Sequence, residues 1–235
     1  MSSGQPKAPR PKERDVFPRT AATWIAAKLG DGENGRAEIN RHVMSVYAWP
    51  LEVYFLGCAD RWVGEAGDVV RGFLASRLGR EGFFQDWQQS GLRLRRWLMN
   101  AFSYYLHELR RERKKGARVV DLPADLPADA EDPSEAMDRA FAVSIVRAAM
   151  ERAAEACEAQ GLTPHWHVFL NHFFHGKAYG EFARFFGVDP ARAAVMARTA
   201  SQKFQSALRE LVARDGATEE EIDQDLGALL EAVGS

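Results

Sequence analysis

The segment from Gly91 to Arg118, GLRLRRWLMNAFSYYLHELRRERKKGAR, constrains the fold more than any other part of the chain. Leu94, Trp97, Leu98, Ala101, Tyr105 and Leu109 recur at helical spacing, which predicts a helix with one face in a core. Arg93, Arg96, Asn100, Tyr104, His107, Arg111 and Lys114 fall on the opposite face, with no acid among them. Toward its end the run thickens to Arg110, Arg111, Arg113, Lys114, Lys115 and Arg118 against only Glu108 and Glu112. Cations neutralise phosphates and exposed rings stack on unpaired bases, so this face suits nucleic acid. The plainer alternative is an amphipathic helix with a basic solvent face. The density of cations, with an amide and an aromatic ring among them, favours the former.

Charge is unevenly placed along the 235 residues, although the formal net charge is only −2. Residues 121–138 carry Asp121, Asp125, Asp129, Glu131, Asp132, Glu135 and Asp138 with no Lys or Arg, and residues 215–235 are likewise acidic without a basic residue. The basic charge is therefore concentrated elsewhere, where the predicted binding helices lie. Cys58 and Cys157 are the only cysteines and form no CxxC pair, which argues against a disulfide framework or a cysteine zinc site. The first 15 residues lack an apolar export core and no stretch approaches a membrane span, so a cytoplasmic location and no membrane partner are expected.

Taken in order, residues 1–15 are Pro-rich and charged without periodicity and read as a disordered tail. Thr20 or Thr23 caps a short helix to Leu29. A second helix spans about Arg36 to Tyr47, and Pro50, at a first-turn position, opens a third from Leu51 to Arg61. A fourth covers Glu65 to Arg80, where Gly72 implies close packing or local weakness, because an interior Gly costs about 1 kcal/mol relative to Ala. Residues 81–91 read as a connector. Three prolines in an acidic stretch make residues 116–133 a linker. Ser134 then caps a long helix to about Gln160, and Thr163-Pro164 starts another. No strand-length alternation appears. The expected fold class is all-α: two helical domains, residues 16–115 and 134–213, with residues 214–235 an acidic extension holding a further helix from Glu219 to Val233.

Lys177 to Leu208 forms the second constellation. Tyr179, Phe182 and Ala183 mark a short helix, Gly187 a turn, and Asp189-Pro190 the capped start of a helix through Ala193, Met196, Ala200 and Leu208. This is the helix-turn-helix layout, whose second helix enters the major groove by its amino end; an ordinary helical hairpin is the alternative. His165, His167, His172 and His175 cluster without an acid or cysteine to complete a metal shell, so no metal and no other cofactor is expected. The chain has no GxGxxG, P-loop, HExxH or nucleophile-elbow motif, and no enzyme activity is expected.

With both modules read, the chain resembles the extracytoplasmic-function sigma factors of the bacterial sigma-70 family. The resemblance rests on Phe17-Pro18-Arg19-Thr20 to Trp24, Trp49-Pro50-Leu51, Ala66-Gly67-Asp68-Val69-Val70-Arg71-Gly72-Phe73, Leu94-Arg95-Arg96-Trp97-Leu98, and Tyr179-Gly180-Glu181-Phe182-Ala183 to Gly187-Val188, and covers residues 16–213. It implies binding to the RNA polymerase core, with Asp68, Arg71, Phe73 and Arg77 on the clamp helices of the largest subunit and the second domain on the flap. It implies minus-ten capture by Arg93, Arg96, Asn100, Tyr104, His107, Arg110, Arg111, Lys114 and Lys115. It also implies minus-thirty-five contacts by Lys177, Arg192, Arg198, Thr199, Gln202 and Lys203, and an anti-sigma factor as a further partner. Two features depart from the family pattern. Its Glu-Asp-x-x-Gln-Glu is replaced by Gly67 to Gly72 with only Asp68 retained, and Ala194, Val195 and Met196 occupy the middle of the recognition helix. These departures favour an alternative, a sigma-like regulator or protein-interaction module that no longer supports initiation.

Overall fold

The computed structural model describes residues 22–116 and 132–234, and all regular structure among them is helical. The Phe17–Thr20 motif, the tail and most of the linker lie outside the described residues. The helices are α1 (Ala22–Gly30), α2 (Gly32–Gly57), α3 (Ala66–Leu78), α4 (Phe83–Ser90), α5 (Leu94–Gly116), α6 (Pro133–Ala159), α7 (Thr163–Phe173), α8 (Tyr179–Phe182), α9 (Pro190–Arg214) and α10 (Glu219–Gly234). Short 3-10 turns occupy Ala59–Val63 and Ala183–Phe186.

Pro50 does not open a new helix; it lies inside the continuous α2. An interior proline removes one backbone hydrogen bond and costs about 3 kcal/mol. Burial of Tyr47, Leu51 and Phe55 at 0–1% exposure offsets this, since each large apolar side chain contributes about 2 kcal/mol. Packing overrides the local preference. The expected connector at 81–91 is likewise helical over α4, because Phe83, Phe84 and Trp87 at i, i+1 and i+4 turn one face into the core. The long helix α6 is capped not by Ser134 but by Asp132, whose side chain accepts from the Ser134 amide, with Pro133 in the first turn.

One buried cluster runs from Ile25 and Ile39 of the first segment through Met137, Ile145 and Phe204 to Ile222 of the extension. Helix α2 lies along α6, with the Tyr47 and Phe141 rings 5.3 Å apart, and α6 in turn lies along α9. The segments on either side of the linker thus share a single core. A smaller cluster of Val168, Phe182, Ala183, Ala193, Met196 and Ala197 holds α8 against the amino end of α9. At Gly72 a Cβ would stand 2.8 Å from the Tyr105 hydroxyl oxygen, so the glycine leaves room for the tip of the Tyr105 side chain against α3. Close packing is what that position serves.

Candidate nucleic-acid interface

Helix α5 is anchored by Leu94, Leu98, Phe102 and Leu106, each at 0–2% exposure and spaced by four residues. Phe102 packs its ring 5.0 Å from Phe73 and 6.4 Å from Tyr105. Trp97, Ala101, Tyr105 and Leu109, read from the sequence as core, are only partly buried at its edge. The true core stripe includes Phe102 and Leu106, which continue the i, i+4 spacing of Leu94 and Leu98 but are absent from the stripe read from the sequence. The buried face is rotated slightly from the expected one.

On the outer face Asn100, Tyr104, His107, Arg111 and Lys114 are exposed, the Tyr104 ring at 71%. The side chain of Lys115 lies outside the described residues. Asn100 and Tyr104 join Trp97 and Leu92 at a cleft of about 500 Å³ whose other wall carries Arg77, Arg80, Phe83 and Asp86. Arg77 reaches Glu108 at 2.6 Å, and its guanidinium lies 5.9 Å from the Tyr105 ring centre. Aromatic rings, an amide and guanidinium groups around an open cleft can stack and hydrogen-bond a planar, polar-edged ligand. The sequence does not single out Arg80 and the α3 wall, because nothing local in residues 77–80 signals that they face α5.

The two ends of the face differ. Arg110 lies 3.4 Å from Asp60, and His107 lies 3.9 Å from the same carboxylate. At the amino end, Arg93 pairs with Asp225 at 2.5 Å and Glu221 at 3.2 Å, and Arg96 pairs with Asp138 at 2.6 Å. The spacing predicts that Arg93 and Arg96 project freely with the other cations; instead they are committed to carboxylates from beyond the linker. The sequence holds no local sign of this, since the partners lie 132 and 42 residues away.

Beneath this end sits Asp215 at 0% exposure. Its carboxylate accepts from the Tyr47 hydroxyl at 2.9 Å, from the Arg95 amide at 2.8 Å and from the Arg95 guanidinium at 2.7 Å. Its carbonyl accepts from the Leu94 amide at 2.7 Å. The residue therefore caps the amino end of α5 from the far end of the chain. Burial drives its pKa up to about 6 even though the Arg95 guanidinium opposes the rise. The same environment, burial first and the Asp215 charge second, holds the Tyr47 hydroxyl well above its ordinary value. His42 is also buried, with neither ring nitrogen hydrogen-bonded; burial, then the Arg214 and Arg152 charges, lower its pKa to about 3.

Among the residues expected on the polymerase surface, Asp68 and Arg71 are exposed and pair with each other at 2.5 Å, while Arg77 turns to the cleft. Phe73, at 0% exposure, faces the core and has no surface to offer a partner.

In the second constellation, Gly187 takes φ +67 between α8 and α9, a left-handed conformation that favours glycine. Asp189 caps α9 by accepting from the Arg192 amide at 2.7 Å. Lys177, Arg192, Arg198 and Gln202 are exposed. Thr199 donates its hydroxyl to the Val195 carbonyl of its own helix, and Lys203 donates to the Gln160 side chain at 2.7 Å. Met196 is not a surface residue but part of the small cluster, at 5% exposure, whereas Val195 is half exposed. Among the described residues no group of histidine, cysteine and carboxylate side chains is arranged to hold a metal, and no helix is long and apolar enough to cross a membrane. A scan against family models finds no matching family, and neither a search of curated proteins nor one of solved structures finds a similar chain.

Proposed function

We propose that this protein is an RNA polymerase sigma factor, in which α5 captures unpaired promoter bases and α9 reads duplex upstream. The observation that carries the reading is the outer face of α5, where Asn100, Tyr104, His107, Arg111 and Lys114 stand exposed on one side beside a cleft lined by Trp97 and Arg80. Bases would stack and hydrogen-bond in the cleft while Arg111 and Lys114 neutralise the adjoining phosphates. The capped amino end of α9, with Arg192, Arg198 and Gln202 exposed, is supportive as a groove-entering helix. The work is recognition rather than chemistry.

The test is binding of the purified protein to core polymerase, followed by transcription from a genomic fragment library. Core binding with new start sites is the expected result. Arg111→Ala with Lys114→Ala should weaken DNA binding several-fold and reduce the salt slope by roughly 1.4, about 0.7 for each single-strand phosphate no longer neutralised. An unchanged salt slope would show that the face is not the interface. A second reading, a sigma-like regulator that does not initiate, is favoured by the ion-paired Arg93 and Arg96 and by the Asp68–Arg71 pair on α3. Failure to bind core polymerase selects it.

A further inference from the structure

The amino end of the α5 face is occupied by the chain itself. Arg93 keeps only 17% side-chain exposure between Asp225, Glu221 and, at 4.0 Å, Asp215. Arg95 is held by Asp215 at 2.7 Å and Asp138 at 3.3 Å. All of these carboxylates come from beyond the linker, and Asp215, Glu221 and Asp225 belong to the acidic extension.

That extension is seated, not merely attracted. Asp215 is fully buried, and its carbonyl and carboxylate take the Leu94 and Arg95 amides. Thr218 and Glu221 cap each other's amides at 2.8 Å and 3.3 Å, a reciprocal box that starts α10. Ile222 is 1% exposed in the shared core, and Asp223 reaches Arg209 at 2.6 Å on α9. The Glu221 carboxyl is held below its usual range, first by the Thr218 amide and then by Arg93.

We propose that α10 is an intramolecular competitor for nucleic acid: its carboxylates occupy the guanidinium that a phosphate would otherwise take, and full engagement of the α5 face requires α10 to leave Arg93. This rests on the reading of α5 as a nucleic-acid interface. A tethered carboxylate competes at an effective concentration in the millimolar range, and while it neutralises Arg93 that residue releases no counterion from a bound strand. Glu221 and Asp225 also repel an approaching phosphate backbone. The exposed end of the face, with Arg111 and Lys114, remains available for a first, weaker contact.

The experiment uses the full chain and a fluorescein-labelled single-stranded DNA of about 20 nucleotides, a length that spans the site sizes usual for such grooves. Anisotropy is measured at several salt concentrations for the wild type, for Glu221→Gln with Asp225→Asn, and for that pair with Arg93→Ala. Glu221→Gln preserves the capping box, so folding is retained. The double variant should bind at least about fivefold more tightly, the lower range of intramolecular coupling. Its salt slope should be steeper by about 0.7, and Arg93→Ala should remove both gains. Hydrogen exchange on the wild type provides a second readout: residues 219–227 should lose protection at saturating DNA. Equal affinity and slope in wild type and double variant, with binding still weakened several-fold in Arg111→Ala/Lys114→Ala, would overturn the competitor role and leave the α5 interface standing. Undiminished protection of α10 in the bound state would overturn it too. No binding by any variant would overturn the interface itself, and the competitor role with it.

Discussion

Lowering the pH from 7 to 5 sets two buried groups against each other, and their difference can be worked out from their surroundings. His42 has a folded pKa of about 3 against 6.5 when unfolded. The unfolded state therefore binds more protons below pH 6.5, and stability falls as the pH drops through that window, by about 2 kcal/mol at pH 5. Asp215 runs the other way. Its folded pKa of about 6 exceeds the ordinary 3.8, so the native state binds the proton more tightly. Its contribution is fully present below 3.8, is lost as pH rises through 6, and amounts to about 1 kcal/mol at pH 5. The two largely offset, leaving a net loss below about 1 kcal/mol between pH 7 and pH 5. Asp215→Asn keeps an oxygen acceptor for the Tyr47 hydroxyl and the Arg95 amide but cannot titrate, so this variant should lose about 2 kcal/mol over the same interval. Urea denaturation followed by circular dichroism at the two pH values measures both numbers, and urea leaves the ion pairs unscreened. The decisive quantity is the difference between the two proteins' pH responses. If wild type and variant respond identically, Asp215 does not take up a proton in the folded state over this interval, and burial does not raise its pKa.

Two further substitutions test the helical framework that holds α5 in place. Gly35→Ala would bring a Cβ to 1.7 Å from the Lys28 carbonyl oxygen, so α1 must move off α2; thermal denaturation should show a loss of several kcal/mol, as expected for overpacking against backbone. Phe102→Ala empties the centre of the α3–α5 ring cluster and should cost about 3–5 kcal/mol in urea denaturation, with a denaturant slope like the wild type's if the fold is kept.

The all-helical class was legible because amphipathic spacing and capping residues are local properties. Asp189-Pro190 and Gly187 mark a turn and a helix start that the structure places at those residues. The same Asp-Pro logic holds at Asp132-Pro133, where the neighbouring serine draws attention away from the real cap. Pro50 misleads for a physical reason: a helix break is a local preference of about 3 kcal/mol, and several buried side chains outweigh it. The outer face of α5 was also readable, since Asn100, Tyr104, His107, Arg111 and Lys114 share one side by spacing alone.

By itself the sequence determined where helices form, which face of α5 is cationic and where the acidic segments lie, because each depends on residues within a few turns. Only the tertiary structure decided what those charges meet. Arg93, Arg96 and Arg111 belong to one cationic face by spacing, yet the first two pair with Asp225 and Asp138 while the third stands exposed. The sharing of one core across the linker and the burial of Asp215 against Tyr47 and Arg95 were decided in the same way. Ion pairing and burial depend on distance in space, and the partners here lie 42 to 168 residues apart along the chain.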